Sequence, residues 1–150
     1  MPFEVTLPTG YTISDDQSRL DMDVIHGFLE QAYWAIGRPR ALTEKSIRNC
    51  LALGVYAADG TQVGFARVLT DRAISGHLAD VFVLPAHRGH GLAKALVAAA
   101  LDHPDLATVV RWTLQTDDAH SLYGAFGFVV NPRPESQMVL SIDRTPAGNA

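Results

Sequence analysis

Residues 79–96 read ADVFVLPAHRGHGLAKAL. The apolar run Val81–Leu84 leads into a turn holding Gly89 and Gly91, and an alanine-rich stretch follows directly. A nearly continuous apolar run is the pattern of a strand covered on both faces, and the stretch after the glycines has helical composition. The order is therefore strand, glycine turn, helix. A helix start leaves backbone N–H groups without internal partners and carries roughly half a positive charge. Glycine lets a ligand reach that backbone directly. The turn thus predicts an anion site, with Arg88 as an added charged donor.

Two common phosphate motifs fail here. No GxxxxGK[ST] run occurs anywhere in the chain. A GxGxxG fingerprint begins at Gly89 and Gly91, but Lys94 stands where the third glycine should pack helix on strand. What remains is Arg88-x-x-Gly91-x-Ala93 at a strand-to-helix turn.

The 150 residues suit one domain, 1–150, with loose ends near 1–10 and 144–150. Composition is that of a soluble globular protein, 47% hydrophobic and 19% charged. A net charge of −4 supplies no basic field for nucleic acid, and no apolar run is long enough for a membrane helix. The opening MPFEVTLPTG lacks the basic and apolar pattern of a leader, and the single Cys50 can form no internal disulfide, so the cytoplasm is the expected location.

Outward from the turn, LGVYAADGTQVGFARVLTD reads as two strands around Asp59-Gly60, with GHLADVFVL as the next strand. Upstream, Tyr11–Ser14 is a short strand. Val24, Ile25, Phe28, Leu29 and Ala32 lie at helical spacing behind Asp21 or Asp23. Thr43 is placed to cap a second helix carrying Ile47, Cys50 and Leu51. Downstream, LATVVRWTLQT is a strand, Asp117 or Asp118 caps a short helix AHSLYGAF, and FVV and SQMVLSI close the chain as strands. The expected α/β fold is a mixed six- to seven-stranded sheet flanked by helices, in the order β-α-α-β-β-β-α-β-α-β-β.

The Arg88–Ala93 pattern resembles the pyrophosphate-binding turn of the GNAT superfamily of acetyl-CoA-dependent N-acyltransferases. The element order resembles that fold from Tyr11 to Ile142, and TDDAHSLYGAFGF is similar to the family segment with a tyrosine four residues before a terminal Gly-Phe. The resemblance implies acetyl-CoA as co-substrate and an N-acetyltransferase activity on a primary amine of a small molecule or a peptide. A homodimer and a non-catalytic CoA-binding sensor on the same fold stay open.

By the same resemblance, Phe82, Val83 and Leu84 line the pantetheine arm. Arg88, Gly89, His90, Gly91, Leu92, Ala93 and Lys94 hold the pyrophosphate. Tyr123 is the candidate acid for the leaving thiolate, since a phenol stays protonated at neutral pH. Asp80 stands where some relatives carry a glutamate base, and a carboxylate among apolar neighbours is expected to have a raised pKa. The alternative for Asp80 is a structural charge paired with Arg67 or Arg111. Tyr33, Trp34 and Arg38 border the expected acceptor site, although Trp34 could equally fill the core. His87 and His90 have HxxH spacing without accompanying carboxylates or thiols, so solvated turn residues are expected rather than metal ligands. His120, one turn before Tyr123, could line the site, with surface exposure the favoured expectation.

Overall fold

The computed structural model describes residues 1–144, so the remainder of the expected loose C-terminal end lies outside the described residues. Six strands form one sheet in sequential order: β1 (Glu4–Thr6), β2 (Thr12–Ser14), β3 (Leu51–Tyr56), β4 (Gln62–Thr70), β5 (Ser75–Val83) and β6 (Arg111–Leu114). Neighbours run antiparallel up to β5, and β5 pairs with β6 in parallel. A parallel pair needs a crossover, and α3 (Leu92–Asp102) supplies it. The remaining helices are α1 (Met22–Leu29), α2 (Arg40–Arg48) and the short α4 (His120–Gly124).

Strand alternation sends side chains to both faces, and each face has its own core. On one face Ile25 and Leu29 of α1 and Ile47 of α2 meet Ala52, Phe65 and Phe82. On the other, Leu92, Leu96, Val97 and Ala100 of α3 cover Leu53, Val55, Val63 and Leu78. Both faces of β3–β5 are thereby sealed, which explains their near-continuous apolar sequence.

Local signals behave as their chemistry dictates. The Asp21 carboxylate accepts from the N–H groups of Asp23 and Val24 and starts α1. At Asp59-Gly60 the Asp59 side chain accepts from Thr61 N–H at 2.9 Å, closing the β3–β4 hairpin.

Four expectations need correction. The N-terminal segment is not loose at Glu4–Thr6, because that stretch pairs with β2, and Phe3 N–H donates to Asp15 Oδ1 at 2.8 Å. Helix α2 begins at Arg40 behind Pro39, whose fixed φ suits a helix entry, and Thr43 is buried inside the helix instead of capping it. At α4 neither Asp117 nor Asp118 caps; Ala119 holds the cap position and its N–H donates to Thr116 Oγ1 at 3.0 Å. The segments FVV and SQMVLSI form no strand. Between them the chain bends at Pro132, where Arg133 N–H donates to Asn131 Oδ1 at 2.9 Å, and enters a 3-10 turn at Pro134–Ser136; the apolar side chains after it stay exposed.

Candidate active site

The β5–β6 ladder runs only from Ser75↔Arg111 to Leu78↔Leu114, whereas β5 continues to Val83. Beyond Leu78 the sheet forks, and one edge of β5 has no strand beside it. A bulge sits at the fork: Phe65 pairs with Phe82 and Arg67 with Ala79, so Ala66 faces both Asp80 and Val81. Asp80 takes the left-handed backbone conformation there, at φ 54°. Asp is among the few residues that tolerate this region. The extra residue re-aims the end of β5.

Leu84 N–H donates to Val63 O across the β4 side at 2.8 Å. Because N–H direction alternates along a strand, the Val83 N–H and C=O point the other way, into the fork. Arg88 Nε donates to that carbonyl at 3.0 Å, tying the glycine turn to the strand end. The Val83 N–H is thus aimed at the open edge.

The turn itself has the predicted geometry. Gly89 and Gly91 have φ of 85° and 72°, and Gly91 is the N-cap of α3 with no side-chain capping bond. The first-turn N–H groups at Leu92, Ala93 and Lys94 have no acceptor within the helix, and Arg88, His90 and Lys94 around them are exposed. On the inner side the Tyr11 hydroxyl lies 3.0 Å from His87 Nδ1, and the Tyr11 and His90 rings are 5.6 Å apart. Both histidines therefore meet Tyr11, the residue before β2, a contact that sequence spacing did not reveal. Among the described residues no group of three or more His, Cys, Asp or Glu side chains is placed to hold a metal.

Asp80 is the most heavily bonded side chain of the site. It accepts from Arg38 at 2.7 and 3.3 Å, from Arg67 Nε at 3.0 Å and from Trp34 Nε1 at 2.9 Å. Arg67 also donates to Ser46 Oγ at 2.7 Å, which joins α2 to the cluster. Burial pushes the Asp80 carboxyl up, but the bonds and charges of Arg38 and Arg67 outweigh it and hold the carboxyl below its ordinary value. This corrects the raised pKa expected from an apolar strand, since two guanidiniums stand where apolar neighbours were inferred. Arg38 and Trp34, expected to face an acceptor, spend their donor groups on Asp80. The legible signal was Asp80 itself, a charge inside an apolar strand that has to find partners.

An open groove of about 1600 Å³ runs along the fork and brings together Tyr33, Trp34, Arg38, Asp80 and Tyr123. Phe82, Val83 and Leu84 are not among its lining residues, and the glycine turn also lies outside it, at the surface. Tyr123 on α4 is 8% exposed, and its ring meets Phe128 edge-on at 6.0 Å. Its hydroxyl has no hydrogen-bond partner among the described residues, and burial raises its pKa, with Tyr33 and Asp118 adding to the effect. The phenol therefore keeps its proton across the neutral range. Tyr33 stands edge-on to Trp34 at 5.1 Å, and its hydroxyl accepts from Asp117 N–H at 3.3 Å, closing one end of the groove. His120 is exposed, as expected, and lines the same groove.

The family description "Acetyltransferase (GNAT) domain" matches residues 51–130, which contain the fork, the turn and Tyr123. The chain belongs to the GNAT acetyltransferase family. A Xanthomonas campestris structure of that family, provisionally named an acetyltransferase, is 43% identical over 95% of each chain, with a TM-score of 0.83. A Gibberella zeae protein, likewise provisionally named an acetyltransferase, is 30% identical over 76% of each chain. An Arabidopsis thaliana glucosamine-6-phosphate N-acetyltransferase, at 17% identity and a TM-score of 0.61 over 95% of this chain and 99% of its own, shares the fold alone. The GNAT domain here is an enzyme fold with a mixed six-stranded sheet, and acetyl-CoA use is implied by the family.

Proposed function

We propose that this GNAT domain transfers an acetyl group from acetyl-CoA to a primary amine by direct attack in a ternary complex. The observation that carries the proposal is the fork between β5 and β6, which leaves the end of β5 without a strand beside it and opens a groove that holds the Tyr123 hydroxyl, without a hydrogen-bond partner among the described residues. Phe82, Val83 and Leu84 take the pantetheine arm as a substitute strand, and the turn Arg88–Lys94 takes the pyrophosphate. The amine nitrogen attacks the thioester carbonyl carbon and the C–N bond forms. Val83 N–H stabilises the oxygen, where charge develops. As the C–S bond breaks, Tyr123 gives its proton to the thiolate; the amine's surplus proton passes to water in the open groove, from which the tyrosinate takes a proton back. Asp80 acts as a positioning residue that fixes Trp34 and Arg38, in place of the base role expected for it. Tyr33 and Trp34 form the acceptor wall. A cytoplasmic setting is consistent with the lone, buried Cys50.

The test is thiol release from acetyl-CoA across a panel of amines, amino acids, polyamines and aminoglycosides. At least one amine is expected to accelerate release; uniform background release would refute the proposal. Acetyl-CoA at about a hundred times its Kd should add roughly 2.7 kcal/mol of stability to the folded state, read as a rise in melting temperature. Gly91→Val should abolish that rise. A β-branched residue is strained at φ 72° and would crowd the N–H groups that the phosphates need. A folded Gly91→Val variant with an undiminished rise would exclude the turn from phosphate binding. Trp34→Phe keeps an aromatic ring, smaller than the indole, and removes the donor to Asp80, so it should raise KM for the amine and leave that for acetyl-CoA nearly unchanged.

A further inference from the structure

Strand β6 and its continuation, residues 111–117, read RWTLQTD. Trp112 and Leu114 pack into the core on the α3 side of the sheet, so alternation turns Arg111 and Thr113 to the other side, toward the groove. Gln115 and Asp117 line the same groove further along. This wall begins with a cation, continues through neutral hydrogen-bonding groups and ends in Asp117 and Asp118. The acidic end lies beside Tyr123, where the charge of Asp118 adds to burial and to Tyr33 in keeping the phenol protonated.

The basic end holds a smaller recess. Arg111, Ser75, His77 and Thr113 line a depression of about 290 Å³, which shares Arg111, His77 and Thr113 with the groove. Among the described residues the Arg111 guanidinium makes no hydrogen bond or ion pair, whereas Arg38 and Arg67 hold Asp80 and Arg133 holds Glu135. Asp71, the acid of the depression, is already engaged by the N–H groups of Ala73, Ile74 and Ser75 at 2.9, 2.9 and 3.0 Å. His77 is half-buried with Nδ1 2.7 Å from Thr113 Oγ1, which leaves Nε2 without a partner among the described residues. Burial and the charge of Arg67 hold His77 below its ordinary value, so Arg111 supplies the positive charge of the depression at neutral pH. A guanidinium with no protein acceptor, beside neutral hydroxyl and imidazole groups, suits a planar carboxylate.

We propose, on the footing of acetyl transfer to an amine, that the acceptor carries a carboxylate at the end remote from its amino group and seats it on Arg111. The amino group then lies at the Asp118 end, where Tyr123 stands. The three residue steps of β6 from Arg111 to Leu114 alone cover about 10 Å, so a lone α-amino acid is too short to reach both ends. A short extended peptide with a free C-terminus has the length and both charges.

Calorimetric titration of tetraglycine and of its C-terminal amide into the full chain tests this. The free acid should bind about tenfold more tightly than the amide. Arg111→Gln should erase that difference, and Arg111→Lys should restore part of it; an unchanged melting temperature shows that each variant is folded. Equal affinity for acid and amide, a preference for the acid that survives Arg111→Gln, or no binding of either peptide overturns the proposal. Thiol release from acetyl-CoA with the same two peptides separates it from the transfer reaction itself. Release stimulated equally by both peptides overturns the carboxylate site and leaves acetyl transfer standing. An Arg111-dependent preference in binding, with no release by any amine, supports the carboxylate site and refutes acetyl transfer.

Discussion

Asp80→Asn is expected to lower the unfolding free energy by about 3–5 kcal/mol, the cost of removing one partner from a buried ion pair. The substitution is nearly isosteric, and Asn tolerates the left-handed region as well as Asp does, so backbone strain at φ 54° is unchanged. What disappears is the anion between two guanidiniums. Arg67, 9% exposed, would then keep its charge in the interior with only neutral partners, Ser46, Cys50 and the new amide. Urea titration at neutral pH measures the loss; a change below about 1 kcal/mol, the range of an exposed pair, would mean that the carboxylate does not anchor the site. The pH dependence has a definite sign. Because the folded-state pKa of Asp80 is depressed, its stabilisation is fully present above the ordinary carboxyl value and is lost as pH falls through the lower folded value. Asp80→Asn removes that component, so the variant's stability should decline less steeply in acid than the parent's.

Tyr123→Phe should reduce kcat by roughly a hundredfold while sparing folding and acetyl-CoA binding. The ring remains against Phe128, and the hydroxyl it loses bonds to no described residue, so little stability depends on that oxygen. Leaving-group protonation does depend on it. With the phenol pKa raised by burial, parent activity should show no loss from Tyr123 ionisation near neutral pH. Pre-steady-state thiol release isolates the chemical step from product release, and an unchanged burst rate in Tyr123→Phe would remove the residue from catalysis.

The central fold was legible because its signals are local. Asp59-Gly60 marks a hairpin wherever it lies between apolar runs, and two glycines before an alanine-rich helix define a turn by backbone geometry alone. The Asp80 cluster was only half legible. A charge in an apolar strand announces that it needs partners, but Arg38 and Trp34 come from a segment 42 and 46 residues away. The bulge that aims Asp80 at them depends on pairing with β4, and no residue type in LADVFV encodes it. The final segment misled for a different reason. Its apolar composition reads as a buried strand, whereas the bend at Pro132 and the 3-10 turn after it leave those side chains exposed and unpaired with any strand among the described residues.

The fork has a consequence for the order of assembly. Strands β1–β5 join through neighbours along the chain, apart from the α1–α2 excursion, whereas β6 reaches β5 only after the whole α3 crossover. Contacts of high sequence separation form late, because the chain entropy of closing the loop is lost before they stabilise anything. The groove therefore lies on a seam between an early-forming meander and a late-docking strand, and that seam is where local opening should be least costly. Amide hydrogen exchange should show β6 and α4 losing protection before β3 and β4. A ligand bridging the seam would slow that opening, so substrate occupancy and the lifetime of the folded state should rise together.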